Sequence, residues 1–411
     1  MPITARAARP DDAALLANLW IRSYWGIGTQ AEVEERFRAA RVFPVETVKI
    51  FERDGAVVGV GRTIPFRGYI GGVECAVGGL ASVAVAPEAR RTGVASAIVR
   101  EHLAALAADR TPWAMLYGYA PRFYARFGWA PVAARLRWRV RPDALPAFAE
   151  RAAVVHLSLS SETDLAAVEA VYGRHCPRQN GSLLRGPGYL RQWWQADRKF
   201  AVGVRGEDGL SGYALYRYIN WTERPTILEV AEWIALDGCA ERAILGFFAV
   251  QGEQADAVLL DTPVDHPLPF LLDKGVPEQQ TPEMPGEHHA LGAAYLGLQA
   301  RIIDLAAALA ARGYPPGARA RVAFSAIDPD LPANEAPQTL IVDGAGAGRV
   351  EPGRGAGAPL VRGPIGALTQ VLVGAVRLEA ALRLRLVEVD GDAAGLDALL
   401  ALPPPYPLVI F

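Results

Sequence analysis

The sequence predicts a soluble α+β protein in which mixed central sheets flanked by helices are followed by a separate α+β domain. Its 411 residues allow two or three domains. Short β-branched runs alternate with amphipathic helical patterns over the first two thirds of the chain, and a stretch rich in Pro, Gly and polar residues at 274–292 ends that pattern. The predicted domains are residues 1–145, 146–285 and 286–411.

Composition restricts the class of partner. With 51% hydrophobic residues, 21% charged residues and a net charge of −2, the chain lacks the basic excess of a nucleic-acid-binding protein. Cys75, Cys176 and Cys239 are too few and too far apart for a disulfide framework or a metal site, which fits a reducing compartment. No signal-peptide pattern opens the chain, and no apolar run reaches membrane-spanning length. We therefore expect a cytoplasmic protein without a metal ion or a membrane partner.

The first domain is predicted from strand and helix patterns in order. After a short strand, the acidic pair behind Pro10 begins a helix that runs toward Ile21. Two β-branched runs joined at Asp54-Gly55 predict a hairpin. The run "GLASVAVAP" predicts a strand, with an amphipathic helix after it. A strand "PWAMLYGYA", a helical turn "PRFYARFGWAPV" and a last strand up to about Arg141 complete the unit.

The second domain repeats this order weakly. A capped helix "SSETDLAAVEAVYGRHC", a hairpin around residues 207–209, a strand "TILEVAEWIAL" and a helix "CAERAILGFFAVQG" follow one another. The segment "LEVAEWIALDGCAERAILGFFAV" falls where "LASVAVAPEARRTGVASAIVREHL" fell in the first domain. This correspondence predicts an internal duplication whose second copy has lost the basic loop.

The third domain begins after the polar stretch. "LQARIIDLAAALAARGYP" predicts a strand and a helix, and strands follow at "RARVAFSAI", "QTLIVDG" and "GRVEP". Helices are predicted at "IGALTQVLVGA" and "AAGLDALLAL", and the sequence closes on the apolar tail "PPPYPLVIF".

A loop between strand and helix in the first domain carries the chemistry. The residues Arg90-Arg91-Thr92-Gly93-Val94-Ala95 lie where a helix begins, and the first turn of a helix has free backbone N–H groups and partial positive charge. Two arginines add cationic charge, and small residues allow a ligand close to the backbone. The loop therefore suits a pyrophosphate. Taken alone, it is equally compatible with an exposed basic corner.

The wider pattern resembles a known superfamily. The element order with R-x-x-G-x-A after the "SVAV" strand resembles the GNAT (Gcn5-related N-acetyltransferase) enzymes. "VAVAPEARRTG", "YGYAPRFYARFGWAPV", a degenerate second unit and a third domain together resemble the Eis-like (enhanced intracellular survival) acetyltransferases, whose third domain has a sterol-carrier-protein-like fold. "ARIIDLAAALAARGY" looks like the start of that domain and "GLDALLALPPPYPLVIF" like its end.

The resemblance implies acetyl-CoA as cosubstrate and a role for individual residues. The family's tyrosine general acid matches Tyr124, and its general base, the C-terminal carboxylate, belongs here to Phe411. The strand before the loop offers backbone groups to the pantetheine arm and the thioester carbonyl. The implied cosubstrate-binding residues are Val83, Ala84, Val85, Arg90, Arg91, Thr92, Gly93, Val94, Ala95 and Ser96.

The proposed roles of Tyr124 and Phe411 are chemically reasonable, but each residue also has a purely structural alternative. Acetyl transfer needs a base for the amine and a donor for the departing thiolate, which a phenol can provide. The six histidines are scattered, which favours direct attack by the amine. The alternative for Tyr124 is packing in an aromatic core patch, and that for Phe411 is a disordered tail. The apolar end "YPLVIF" indicates a packed tail, where a buried carboxylate would have a raised pKa.

The sequence says less about the acceptor substrate than about the cosubstrate. Tyr24 and Trp25 follow the first helix, where the superfamily forms its acceptor pocket. The two residues either line the substrate pocket or pack in the core. Better-known Eis enzymes acetylate aminoglycosides and polyamines beside acidic residues, one of them just before the terminal residue. Here Ile410 is apolar, which weakens an aminoglycoside prediction. The resemblance implies a homo-oligomer, as in hexameric relatives. The alternative function is a non-catalytic acyl-CoA or lipid-binding protein, although we expect no lipid tunnel.

Overall fold

The computed structural model of the chain describes residues 2–24, 28–39, 44–158, 160–186, 188–194, 199–220, 222, 225–272 and 292–411. They form two compact units. The first comprises Met1–Ala133, Asn180–Pro187 and Gly297–Phe411, and the second comprises Ala134–Gln179 and Gly188–Leu296. In these residues, no helix combines the length and the apolar character that crossing a membrane demands.

The first stretch of the chain follows the predicted order and adds a second helix. Its elements are β1 (Thr4–Ala7), α1 (Ala13–Ser23), α2 (Gln30–Arg38), β2 (Val48–Arg53), β3 (Ala56–Ile70), β4 (Val73–Val85), α3 (Val94–Ala108), β5 (Trp113–Tyr117), α4 (Pro121–Ala125) and β6 (Ala130–Pro131). The predicted hairpin joins β2 and β3, and Asp54 and Gly55 both have positive φ, 55° and 76°. Asp-Gly suits such a turn because both residues tolerate the left-handed region.

The middle stretch contains the elements of the second unit. They are β7 (Ala134–Val140), β8 (Val154–Leu157), α5 (Glu162–His175), α6 (Tyr189–Trp194), β9 (Lys199–Gly206), β10 (Gly209–Ile219), β11 (Ile227–Ala235), α7 (Gly238–Ala249), β12 (Ala257–Thr262) and β13 (Gly292–Leu296). Their strands form one sheet in the order β13-β7-β12-β11-β10-β9-β8. Its core packs α7 against this sheet, with Ile244 and Phe248 each 1% exposed.

The last stretch returns to the first unit. Its elements are β14 (Leu298–Ile302), α8 (Leu305–Ala311), β15 (Arg319–Ile327), β16 (Gln338–Asp343), β17 (Gly348–Pro352), β18 (Leu360–Pro364), α9 (Ile365–Leu372), α10 (Leu378–Arg383), β19 (Glu388–Asp390) and α11 (Leu396–Leu400). β15 to β19 form a five-stranded sheet in the order β17-β16-β15-β18-β19. The predicted α+β class is therefore confirmed for each part of the chain.

Two strands lie in sheets that the linear order did not predict. β14 pairs with β5 and β6 and so completes the first sheet, whose order is β1-β2-β3-β4-β5-β14-β6. β7, expected as the last strand of the first unit, pairs instead with β12 and β13. Its side chains find partners there, because Arg137 donates to both oxygens of Asp261 at 2.7 and 2.9 Å and Trp138 donates to Thr262 at 2.8 Å. Elements adjacent in sequence need not share a sheet.

Candidate active site

The centre of the first sheet opens where β4 and β5 part. The parallel ladder between them ends at the pair Leu80–Leu116. On the other side of β4, Val60 pairs with Ala84 and Arg62 with Ala81, so Ser82 and Val83 together oppose a single residue of β3. This β-bulge puts Ser82 at a φ of 55°. Bulges bend a strand and re-aim its backbone groups, and here the bend leaves a wedge between two strands that are paired at one end.

A cavity of about 440 Å³ occupies this wedge. It is lined by Trp20, Tyr24, Leu80, Ala81, Ser82, Val83, Tyr117, Gly118, Tyr119, Tyr124, Gly297, Ile410 and Phe411. The structure therefore brings Tyr124 and Phe411, which are far apart in sequence, to the same cavity.

Tyr124 lies on the short helix α4. Its ring packs over Gly118, where an added Cβ would lie only 2.6 Å from Tyr124 Cε2, so a glycine is needed for this approach. The Phe123 ring lies edge-on at 5.0 Å between centroids. Burial among these groups raises the pKa of the Tyr124 phenol above its ordinary value. The phenol thus remains a proton donor over the whole neutral range.

The chain end packs against β3, β4 and β5 of the first sheet. The Phe411 ring lies 4.7 Å from the Phe66 ring and 5.7 Å from the Tyr117 ring. Tyr117 Oη donates to the carbonyl of Val409 at 3.3 Å. Gly79 leaves room for this arrangement, because a Cβ there would lie 2.9 Å from the Phe411 ring. The tail packs as its apolar composition predicts.

Asn180, from the segment Asn180–Pro187, anchors this tail. Its buried side chain donates to the carbonyls of Val373 and Pro403 at 2.8 and 2.6 Å, and its own carbonyl accepts from Tyr406 N–H at 3.0 Å. The side-chain oxygen accepts from Gly71 N–H at 3.0 Å. A single amide thus ties the last residues of the chain to the hairpin between β3 and β4.

A second cavity, of about 230 Å³, shares Tyr24, Val83, Tyr119 and Tyr124 with the first and reaches the start of α3. Five of the predicted cosubstrate residues line it. They are Val83, Ala84, Val85, Arg90 and Ala95. Arg91, Thr92, Gly93, Val94 and Ser96 do not line it, and the Val94 side chain is 1% exposed within the core. Val94 is therefore a core residue, and its contact with the cosubstrate stays a prediction.

The loop before α3 has the geometry of an anion cradle. Arg91 and Gly93 have φ of 62° and 91°, which turn the chain into the helix. Gly93 is the N-cap residue and has no side chain to accept from the first amides. An added Cβ at Gly93 would meet no atom within 4 Å, so the space over the helix start is open. Open space, free amides and the helix dipole fit the pyrophosphate of acetyl-CoA.

Arg53 at the end of β2 fixes this loop. Its guanidinium donates to Thr92 Oγ1 and to the Thr92 carbonyl, each at 3.1 Å. Thr92 Oγ1 in turn donates to the Ala89 carbonyl at 2.7 Å. Sequence reasoning missed Arg53, because nothing in its local pattern indicates a partner 39 residues away.

Replacing Gly93 with Ala tests the cradle. We expect the KM for acetyl-CoA to rise about tenfold, equal to about 1.4 kcal/mol of binding free energy, because the positive φ is strained for an L-residue and the methyl enters the ligand space. Gly317→Ala is the matched control, since Gly317 has a φ of 82° and equally open space. Both variants should lose similar stability in thermal unfolding. An unchanged KM in Gly93→Ala would contradict the cradle.

The second copy of this joint lacks the cradle. At the start of α7 the side chain of Asp237 accepts from Ala240 N–H at 2.8 Å, and Glu241 lies in the first turn. A carboxylate thus occupies the position that a phosphate would take, and a second acid repels anions. That only the first copy binds the cosubstrate stays a prediction.

Of the two predicted acceptor-site residues, the structure describes one. Tyr24 lines both cavities, and its hydroxyl donates to the Val83 carbonyl at 2.6 Å. That carbonyl is therefore already engaged, and burial raises the pKa of Tyr24. Trp25 lies outside the described residues. Trp20 lines the first cavity and Tyr119 lines both, and sequence reasoning missed them because single aromatic residues on a helix or loop have no distinguishing spacing.

A larger cavity, of about 740 Å³, lies away from Tyr124 beside α8. Its lining combines small apolar residues with Arg110 and Asp304, which form an ion pair at 3.1 Å. It is a partly open groove, and no reacting group of the predicted chemistry lines it. Over the described ranges, no cluster of three His, Cys, Asp or Glu residues is arranged to hold a metal ion.

Comparison with known families and relatives identifies the chain. Residues 4–132 and 181–296 each match a family described as an acetyltransferase (GNAT) domain, and residues 305–407 match a sterol carrier protein domain. An uncharacterized N-acetyltransferase of Streptomyces coelicolor is 28% identical over 88% of this chain and 87% of its own length. N-acetyltransferase Eis of Mycobacterium tuberculosis is 30% identical over 64% of this chain and 65% of its own. The chain is a GNAT acetyltransferase that is similar to Eis.

Solved structures agree with this Eis-like fold. A GCN5-related N-acetyltransferase from Anabaena variabilis superposes with a TM-score of 0.84 at 19% identity, and Eis1 from Mycobacterium abscessus with 0.78 at 20%. Each covers 100% of both chains. The predicted family and enzyme class are confirmed: this is an acyltransferase, and GNAT domains use acetyl-CoA as cosubstrate and act on amines.

Proposed function

We propose that this protein transfers the acetyl group of acetyl-CoA to a primary amine of a small molecule or peptide. The amine nitrogen forms a bond to the thioester carbonyl carbon, the carbon–sulfur bond breaks, the Phe411 carboxylate takes the amine proton, and Tyr124 gives its proton to the sulfur. The observation that carries the proposal is the single cavity lined by both residues in the wedge between β4 and β5.

Several features support the binding part of the proposal. The cosubstrate lies along Val83–Val85, with its pyrophosphate at the backbone of Arg91–Ser96 and the charge of Arg90 alongside. The bulge leaves Ser82 and Val83 without a paired residue on β3, and one of their backbone N–H groups is proposed to hold the developing oxyanion. Tyr24, on the wall shared by both cavities, bounds the acceptor side.

A one-residue extension tests the base. Adding a glycine after Phe411 keeps the aromatic ring but moves the terminal carboxylate by about 3.5 Å, one residue length. We expect kcat/KM for the amine to fall about 100-fold, as loss of a general base does, with the KM for acetyl-CoA unchanged. Coenzyme A release over a panel of amines provides the measurement. Full activity of the extended chain would exclude the Phe411 carboxylate as base.

The setting of the enzyme is proposed from the family resemblance alone. We propose a cytoplasmic homo-oligomer, hexameric as in relatives of this architecture. Light scattering of the purified protein measures the assembly, and a monomeric mass would exclude it. Neither the location nor the assembly enters the argument for the chemistry.

A further inference from the structure

We propose that the acceptor is a monoamine whose single primary amino group is carried by an apolar or aromatic body, and not a polyamine or an aminoglycoside. This inference rests on the proposed function and narrows its substrate class. Three observations carry it: the aromatic lining of the cavity, the charges of the described residues around it, and the side chain at position 410.

The lining is rich in aromatic surface. The rings of Trp20 and Tyr24 lie 5.9 Å apart, those of Tyr24 and Tyr119 6.0 Å, and those of Tyr117 and Phe411 5.7 Å. Tyr119 is 93% exposed, so a large ring stands open at the cavity. Exposed aromatic surface at a cavity recovers hydrophobic and ring-stacking free energy when an apolar ligand covers it. One ammonium group also gains from the face of a nearby ring.

The charges around the cavity do not suit a polycation. Of the described residues that line it, none has an Asp, Glu, Lys, Arg or His side chain. The adjoining cavity has one charged residue in its described lining, Arg90, which repels cations. The anionic group assigned to this site is the Phe411 carboxylate, which serves one ammonium. A second ammonium would lose its water without a carboxylate partner, which is costly.

The side chain at position 410 contributes to the preference for a monoamine. Ile410 lines the cavity and is 46% exposed, so its apolar surface is open to a bound ligand. An acidic residue there would offer a second ammonium the partner that the present lining lacks. Specificity is a difference between two affinities, and a single charge at this position changes that difference.

A matched pair of substrates tests the inference on the full-length protein. n-Hexylamine and 1,6-diaminohexane have the same six-carbon chain and differ by one amino group. In a coenzyme A release assay we expect kcat/KM for hexylamine to exceed that for the diamine about tenfold or more, as for a charge left without its partner. We expect 2-phenylethylamine to be at least as good as hexylamine and kanamycin to be poor.

The possible failures are distinguishable. Diamine or kanamycin turned over as well as hexylamine would overturn the inference and leave the proposed acetyl transfer standing. No coenzyme A release with any amine would overturn the proposed function and this inference with it.

An isoleucine pair provides matched variants. In Ile410→Asp we expect the ratio of kcat/KM for diamine over hexylamine to rise about tenfold, because the new carboxylate pairs with the second ammonium. Ile327→Asp is the control, since Ile327 is 47% exposed on β15 and lines neither cavity. Its ratio should remain unchanged. An unchanged ratio in Ile410→Asp would overturn the assignment.

Discussion

Tyr124→Phe is expected to lower kcat about 100-fold, the usual contribution of a general acid, while the KM for acetyl-CoA stays within about twofold. The ring and its packing over Gly118 remain, and only the proton donor is lost. Steady-state kinetics with a primary amine provide the measurement. Coenzyme A must then leave as a poorly stabilised thiolate, and the chemical step becomes rate-limiting.

The pH profile gives this variant a second readout. Burial raises the pKa of Tyr124, and the donor is the protonated form, which predominates below that pKa. Loss of activity through Tyr124 therefore begins only above the ordinary tyrosine pKa near 10, and Tyr124→Phe should remove that alkaline decline. Tyr216→Phe in the second unit is the control, because burial raises its pKa to about 12 and it lies on β10. A Tyr124→Phe enzyme with wild-type kcat would exclude the phenol as acid.

Arg301→Met is expected to have the largest effect on stability. Arg301 is 0% exposed, pairs with Asp328 at 2.5 Å and donates to the Phe127 carbonyl at 2.5 Å. Burial lowers the pKa of the Arg301 guanidinium, because it disfavours the charged form. The attraction of Asp328 opposes this lowering and keeps the cation favoured. Removing one partner leaves a buried carboxylate without its cation, which costs about 3–5 kcal/mol of unfolding free energy. Chemical denaturation measures the loss.

Two further variants separate the pair from mere truncation. Arg321→Met is the same substitution in an exposed ion pair, that of Arg321 with Glu351. Exposed ion pairs contribute about 0–1 kcal/mol to the free energy of unfolding. Arg301→Met combined with Asp328→Asn should be less destabilised than the sum of the single variants, because the uncompensated charge is gone. Equal losses in Arg301→Met and Arg321→Met would show that burial of the pair does not matter.

Local patterns were sufficient for most of the elements. The Asp54-Gly55 hairpin and helix α3 rest on turn chemistry and hydrophobic periodicity, which act over a few residues and can be read from the sequence. The loop of Arg90–Ala95 was predicted in the same way, since free amides at a helix start depend only on local geometry. Tyr124 and Phe411 came from the family resemblance, and their roles stay predictions that the variants above test.

Strand partnership could not be predicted in this way. A strand offers the same backbone N–H and C=O groups to any neighbour, so nothing local decides that β14 enters the first sheet or that β7 enters the second. The bulge at Ser82 has the same origin, because it is a mismatch in length between two paired strands. Arg53 and Asn180 were missed because each acts on residues distant in sequence.

By itself, the sequence determined the α+β class and predicted the duplicated strand–loop–helix joint and the basic loop at the helix start of the first copy, because these depend on periodicity, caps and charge within short segments. Only the tertiary structure decided that the wedge between β4 and β5, α4 and the chain end form one cavity. It also decided that Trp20, Tyr24 and Tyr119 give that cavity an aromatic wall without acidic side chains among its described residues. Both the shared cavity and its aromatic lining result from the packing of segments that are remote in sequence, because burial and strand register are properties of the whole fold.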